Sequence, residues 1–288
     1  AEITLEANPD DLSEAYLMDL RSTSINRLSI GIQSFFEDDL RFMNRAHNAD
    51  EAINSIKAAQ DAGFENITID LIYGSPTTSD EHWQANLQKA IELQVPHLSC
   101  YCLTIEPKTA FGHWVEKGRM AAPDEAQAER QFNQLMDQTE KAGYLHYEIS
   151  NFAQPGMEAV HNSNYWQGVP YLGIGPAAHS FNGETRQWNI AHNIFYMDSI
   201  RGYRVPAEVE TLSQEERYNE YLMTALRTYK GVQLDILQRQ FPDFLPEFEK
   251  DIKPYLQSGH LSPTDTGYRL SRSGKHLADR IASDLFRL

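Results

Sequence analysis

Apolar and polar residues along the first 150 positions keep two alternating periods. Short β-rich runs predict strands at 3–7, 27–33, 66–76, 97–103 and 144–149. Between them, apolar residues recur at helical spacing and predict helices near 13–20, 36–44, 49–62, 79–93 and 123–141. The punctuation agrees with this reading. Asn8-Pro9-Asp10 breaks the first strand, Ser13 is a helix cap, and Gly63 and Gly143 close helices. Pro123 stands where the first turn of the longest helix is expected. Strand–helix alternation of this kind predicts an α/β fold of repeated βα units around a parallel sheet.

The stretch 66–76, N-I-T-I-D-L-I-Y-G-S-P, is the most apolar strand, and its one charged residue is Asp70. A carboxylate in such a run must be paired, hydrogen-bonded or turned toward a polar cavity. Other strands carry polar residues in their later halves or just beyond: Glu6, Gln33, Tyr101, Thr104 and Glu148. Ligands bind at the C-terminal ends of strands in βα barrels and in open α/β sheets. Each residue alone is compatible with an ordinary polar position beside a loop; together they predict a site. Glu6, Asp70 and Glu148 also suit acid–base chemistry in a plain βα-barrel metabolic enzyme.

From 151 to 193 the chain is rich in aromatics and glycine and poorly periodic. A long irregular segment in a compact domain is usually functional. Beyond about 205 the pattern turns helical. Ser213 and Glu216 form a capping-box signature for a helix that Gly231 ends. Helices at 234–241 and 246–257, a hairpin of 261–263 and 268–270, and a helix at 273–285 complete a small winged-helix-like domain. The expected division is 1–204, carrying the 151–193 segment, and 205–288.

Composition narrows the function. Of 25 basic and 41 acidic residues, 14 and 30 lie in 1–210, and 11 of each in 211–288. Neither part has the basic footprint of a nucleic-acid binder. No apolar run approaches a membrane span and no signal peptide opens the chain, so a cytoplasmic protein is expected. Cys100 and Cys102 are the two cysteines. They exclude a disulfide scaffold, suit a reducing compartment and read as small core residues. The first residues already read as a strand, as though the chain starts within a fold and leaves that strand as an open edge.

Several stretches together resemble one family: T-L-E-A-N-P (4–9), R-L-S-I-G-I-Q-S-F (27–35), M-N-R-A-H (43–47), I-D-L-I-Y-G-S-P (69–76), L-S-C-Y-C-L-T-I-E-P (98–107), H-N-S-N-Y-W (161–166) and Y-L-G-I-G-P-A-A-H-S (171–180). These are similar to the radical S-adenosylmethionine (SAM) proteins of the coproporphyrinogen III dehydrogenase group. The resemblance implies a partial TIM-like βα barrel lacking its N-terminal strands here, followed by the small C-terminal domain. It implies SAM, a 4Fe–4S cluster and haem as cofactors of the full-length parent. Glu6 and Gln33 resemble residues lining the SAM pocket, Arg45 the residue meeting the methionine carboxylate, and Asp70 the acid bonding the nucleoside. His161, Asn162, Tyr165 and Trp166 match H-N-x-x-Y-W, the haem signature of the HemW-type chaperone subgroup; His179 and His192 are alternative histidines. The implied function is haem binding and transfer to apo-proteins. The alternative is oxygen-independent coproporphyrinogen III dehydrogenation in porphyrin biosynthesis. A homodimer is compatible with either. The family's C-x-x-x-C-x-x-C segment has no counterpart in these residues, so no metal ligand is assigned. The chain as written is expected to hold no cluster and to perform no radical chemistry.

Overall fold

A computed structural model describes residues 1–107, 109–118 and 122–287. The chain forms two compact units, Ala1–Glu158 and Ala159–Leu288. The first runs β1 (Thr4–Ala7), α1 (Glu14–Arg21), β2 (Arg27–Gln33), α2 (Glu37–Phe42), α3 (Ala49–Asp61), β3 (Ile67–Tyr73), α4 (Asp80–Glu92), β4 (His97–Cys102), α5 (Ala110–Glu116), α6 (Glu125–Lys141), β5 (Leu145–Glu148) and β6 (Asn151–Ala153). The sheet order is β1-β2-β3-β4-β6-β5. β1 to β4 are parallel, while β6 is antiparallel to both of its neighbours. Among the described residues the sheet stays open, with β1 and β5 as its edges. This is an α/β partial barrel.

Alternation along the strands sorts residues onto two faces. Leu28, Ile30 and Ile32 of β2, Ile67, Ile69 and Leu71 of β3, and Leu98 and Cys100 of β4 are buried in one core with helix residues Leu17, Ala52, Ile56, Trp83, Leu87, Phe132 and Leu135. Complete burial of each large apolar side chain contributes about 2 kcal/mol. The helices present matching stripes: Ala52, Ser55, Ile56 and Ala59 of α3 are buried at helical spacing. Capping fixes their starts. Ser13 accepts from the Tyr16 amide, and Asn48 with Glu51 makes a capping box. The expected start of α6 at Pro123 is displaced: Asp124 caps the helix, and Pro123 precedes the cap.

The second unit runs α7 (Val160–Trp166), β7 (His179–Phe181), β8 (Thr185–Asn189), α8 (Asn193–Arg201), β9 (Ala207–Thr211), α9 (Gln214–Leu226), β10 (Val232–Gln233), α10 (Leu234–Gln240), α11 (Leu245–Asp251), α12 (Lys253–Gln257), β11 (Leu261–Pro263), β12 (Gly267–Leu270), α13 (Arg272–Lys275) and α14 (Ala278–Asp284). The stretch 151–193 carries β6, the helix α7 and the strands β7 and β8 of an antiparallel sheet, β7-β8-β9, joined by irregular segments. A division at 204/205 would fall between β8 and β9, which are hydrogen-bonded partners. The helical C-terminal region carries a small antiparallel sheet, β10-β12-β11, so the expected hairpin gains a third strand. Gly231 permits that pairing: its φ is +67°, and a Cβ there would lie 2.1 Å from the Tyr268 carbonyl oxygen. The helix expected at 246–257 is two, α11 and α12, with Pro254 in the first turn of α12.

Candidate functional site

The face of the sheet opposite the core is polar, in register across strands. Glu6 of β1 pairs with Ser29 of β2, and Ser29 with Thr68 of β3. Asp70 pairs with Ser99 of β4, and Ser99 with Asn151 of β6. This stripe is a wall of short polar side chains with a layer beneath it. Arg27, buried, donates through Nη2 to Thr68 Oγ1 and lies 3.9 Å from the Glu2 carboxylate. His97, also buried, has Nε2 2.7 Å from the Tyr147 hydroxyl. Desolvation pulls the His97 pKa down to about 3, aided by the Arg27 charge. His97 is therefore neutral, and this layer is a fixed floor.

Above the floor, Asp70 is half-buried, and burial lifts its pKa to about 6. Ser99 partly offsets the lift, the Glu6 carboxylate adds to it, and Arg27 and Arg45 oppose it. Gln33 ends β2 after a bulge with φ +66°, which turns its side chain back over the strand. Its amide approaches Gly31, where a Cβ would lie 3.0 Å from Gln33 Nε2 and 3.3 Å from Arg45 Nη2. Arg45 comes from the turn between α2 and α3 and donates from Nη2 to the Gly31 carbonyl at 3.3 Å. Its Nε is buried without a hydrogen-bond partner. Glu6, Gln33, Arg45 and Asp70 are thus assembled by β1, β2, β3 and one turn on the polar face.

The other strand-end residues divide. Tyr101 is exposed beside this face, and burial of its ring side lifts its hydroxyl to about 12. Thr104 is exposed beyond β4. Glu148 is buried and accepts from the Ser150 amide and the Asn151 side chain, so it holds the β5–β6 turn. Ser99, Asn151, Arg27 and His97 escaped the sequence reading. For Arg27, His97 and Ser99 the signal is the two-residue polar spacing in R-L-S and H-L-S-C-Y.

The H-N-x-x-Y-W residues lie in the second unit on α7. His161 and Tyr165 share one face and are exposed, their rings edge to face at 4.7 Å. Tyr165 packs on Tyr171 at 4.5 Å, and Tyr171 on Phe181 at 6.2 Å. Asn162 and Trp166 occupy the adjoining face and are half-buried; the Arg227 guanidinium stands 5.5 Å over the Trp166 ring. Trp166 therefore helps seat α7 against α9, and His161 with Tyr165 remains presented. His179 is exposed with its ring 6.4 Å from Trp188, and the His192 imidazole caps α8.

Residues 1–90 match the Radical SAM superfamily, and residues 212–277 the HemN C-terminal domain. The Heme chaperone HemW of Bacillus subtilis (strain 168) is 34% identical over 283 residues, covering 98% of this chain and 75% of that one. The chain belongs to the HemW-type radical SAM family. The Heme chaperone HemW of Lactococcus lactis subsp. lactis (strain IL1403) is 35% identical over 240 residues, 83% of this chain and 63% of its own length. The solved coproporphyrinogen III oxidase (HemN) of Escherichia coli superposes with a TM-score of 0.81 at 22% identity, covering 99% of this chain and 70% of that one. That likeness carries the fold.

Membership of the HemW-type family implies SAM and a 4Fe–4S cluster. The polar face fits SAM: two carboxylates suit a ligand with sulfonium and ammonium charges, and a guanidinium with a spare buried N–H suits its carboxylate. The cluster is not fitted by these residues. Cys100 is buried in the core, on the opposite face from Asp70, and Cys102 is exposed. No group of three potential metal ligands occurs among the described residues. No helix among them is long and apolar enough to cross a membrane.

Proposed function

We propose that this chain is the SAM- and haem-binding portion of a haem chaperone that passes haem to apo-proteins. The observation that carries the first half is the convergence of Glu6, Gln33, Arg45 and Asp70 on the polar face, with the Gln33 and Arg45 heads packed over Gly31. Arg45 would take the methionine carboxylate through a charge-assisted fork, and Asp70 the ribose hydroxyls. Glu6 and Gln33 would complete the wall. SAM bound with a reduced cluster supplies radical chemistry; the residues here bind and orient.

His161 supports the second half. An imidazole is a common haem-iron ligand, and this one is presented beside the Tyr165–Tyr171 ring pair, which offers apolar surface to a macrocycle. Asn162 and Trp166 would hold the helix that carries it. Haem titration of wild type and His161→Ala, followed in the Soret band, tests this. The variant is expected to bind about tenfold more weakly, with an altered ligation spectrum; unchanged binding and spectrum remove His161 as the ligand. The full-length parent, reconstituted with its cluster and incubated with SAM, reductant and coproporphyrinogen III, separates the chaperone from the dehydrogenase, since protoporphyrinogen formation overturns the chaperone reading.

A further inference from the structure

Arg45 sits on a turn, and a long flexible side chain there needs something to hold its head over the polar face. Its Nη2 donates to Asn8 Oδ1 at 2.8 Å as well as to the Gly31 carbonyl at 3.3 Å. The orientation of the Asn8 amide is fixed in turn, because its Nδ2 donates to Asp11 Oδ2 at 3.2 Å. Asn8 also precedes the short 3-10 turn Pro9–Asp11, whose Pro9 is buried, so its backbone is anchored. Both acceptors of Nη2 are neutral oxygens. They orient the guanidinium without cancelling its charge, as a carboxylate at position 8 would. Nε is left without a partner.

We infer that Asn8 is a positioning residue, which holds Arg45 as the receptor for the carboxylate end of the ligand. The inference rests on the SAM reading of the site and adds a division of labour within it. Asn8 acts through Arg45, so it matters for the amino-acid end of SAM and not for the nucleoside end. The natural probe is 5′-methylthioadenosine, which keeps the nucleoside and lacks the amino-acid carboxylate.

The experiment measures the binding of both ligands to the 288-residue chain by calorimetry, for wild type, Asn8→Ala, Arg45→Ala and the double variant. Asn8→Ala is expected to weaken SAM about tenfold, the worth of an oriented bond to a charged group. It is expected to leave 5′-methylthioadenosine within about twofold, and to cost nothing further when Arg45 is already alanine. Equal weakening of both ligands, undiminished SAM binding, or additivity with Arg45→Ala overturns the inference and leaves the SAM reading standing. Wild-type protein that binds neither ligand overturns the SAM reading, and the inference with it.

Discussion

Asp70 occupies a strand position where an apolar residue would cost nothing, and burial sets its behaviour. Its pKa rises from the ordinary 3.8 to about 6, with desolvation the largest cause and Glu6 an additional one. The raised value means that the folded state disfavours the ionised form. The contribution to stability is therefore whole below about pH 4 and is lost as pH rises through about 6. A shift of this size is worth about 3 kcal/mol at most, and about 1–2 kcal/mol after allowance for the side chain's partial exposure. Asp70→Asn should accordingly stabilise the chain by that smaller amount at pH 8 and by nothing at pH 4. Denaturant titrations at the two pH values check this, and an equal effect at both would show that burial of the charge is not the cause. The residue was legible as one charge within an apolar run. Asn8 was not, because a residue before proline reads as a strand breaker, and its bond to Arg45 spans 37 positions.

Between residues and the whole fold lie the loops that hold strand ends together. Asp39 of α2 is fully buried. Its carboxylate accepts from Ser34 Oγ after β2 and from Thr77 Oγ1 after β3, each at 2.7 Å. Asn86 of α4 binds the Phe35 amide at 2.8 Å and donates to Ser34 Oγ at 3.0 Å. One buried network thus ties the β2 loop, which follows Gln33, to the β3 loop. Asp39→Ala would remove the acceptor of one buried and one part-buried hydroxyl, each of which keeps a second partner, at a cost of roughly 1–3 kcal/mol. It should also weaken SAM binding, by loosening the loop after Gln33. Thermal melts and SAM titration check both; a melt lowered with SAM affinity intact would make the network purely structural. The β2 and β3 strands were readable because they are long and β-branched. β7 and β8 were not: His179–Phe181 and Thr185–Asn189 are short, mixed in polarity and set among glycines. Their pairing is antiparallel and local, so no run of apolar residues marks it.

At the scale of the molecule, sequence character and compactness divide the chain at different places. Polarity and helical period change near 205, where the C-terminal helices begin. The backbone divides after Glu158, because the β8–β9 pairing binds the residues on either side of 205 into one sheet. Pairing partners so placed are invisible to a reading that follows local period. The division assigns the two candidate sites to different units. Glu6, Gln33, Arg45 and Asp70 all belong to the first, and His161, Asn162, Tyr165 and Trp166 to the second. Substitution in each set is a test of its own ligand. Arg45→Ala should weaken SAM binding by roughly ten- to a hundredfold, the worth of a charged hydrogen bond, and leave the haem spectrum and affinity unchanged. His161→Ala should alter haem ligation and leave SAM affinity within about twofold, since substitutions that share no partner act independently. Measuring each ligand on each variant, with the other ligand present and absent, separates independence from coupling. A change in haem affinity when SAM is added to wild type, lost in Arg45→Ala, would show that the first site regulates the second; by linkage haem would then change SAM affinity by the same factor.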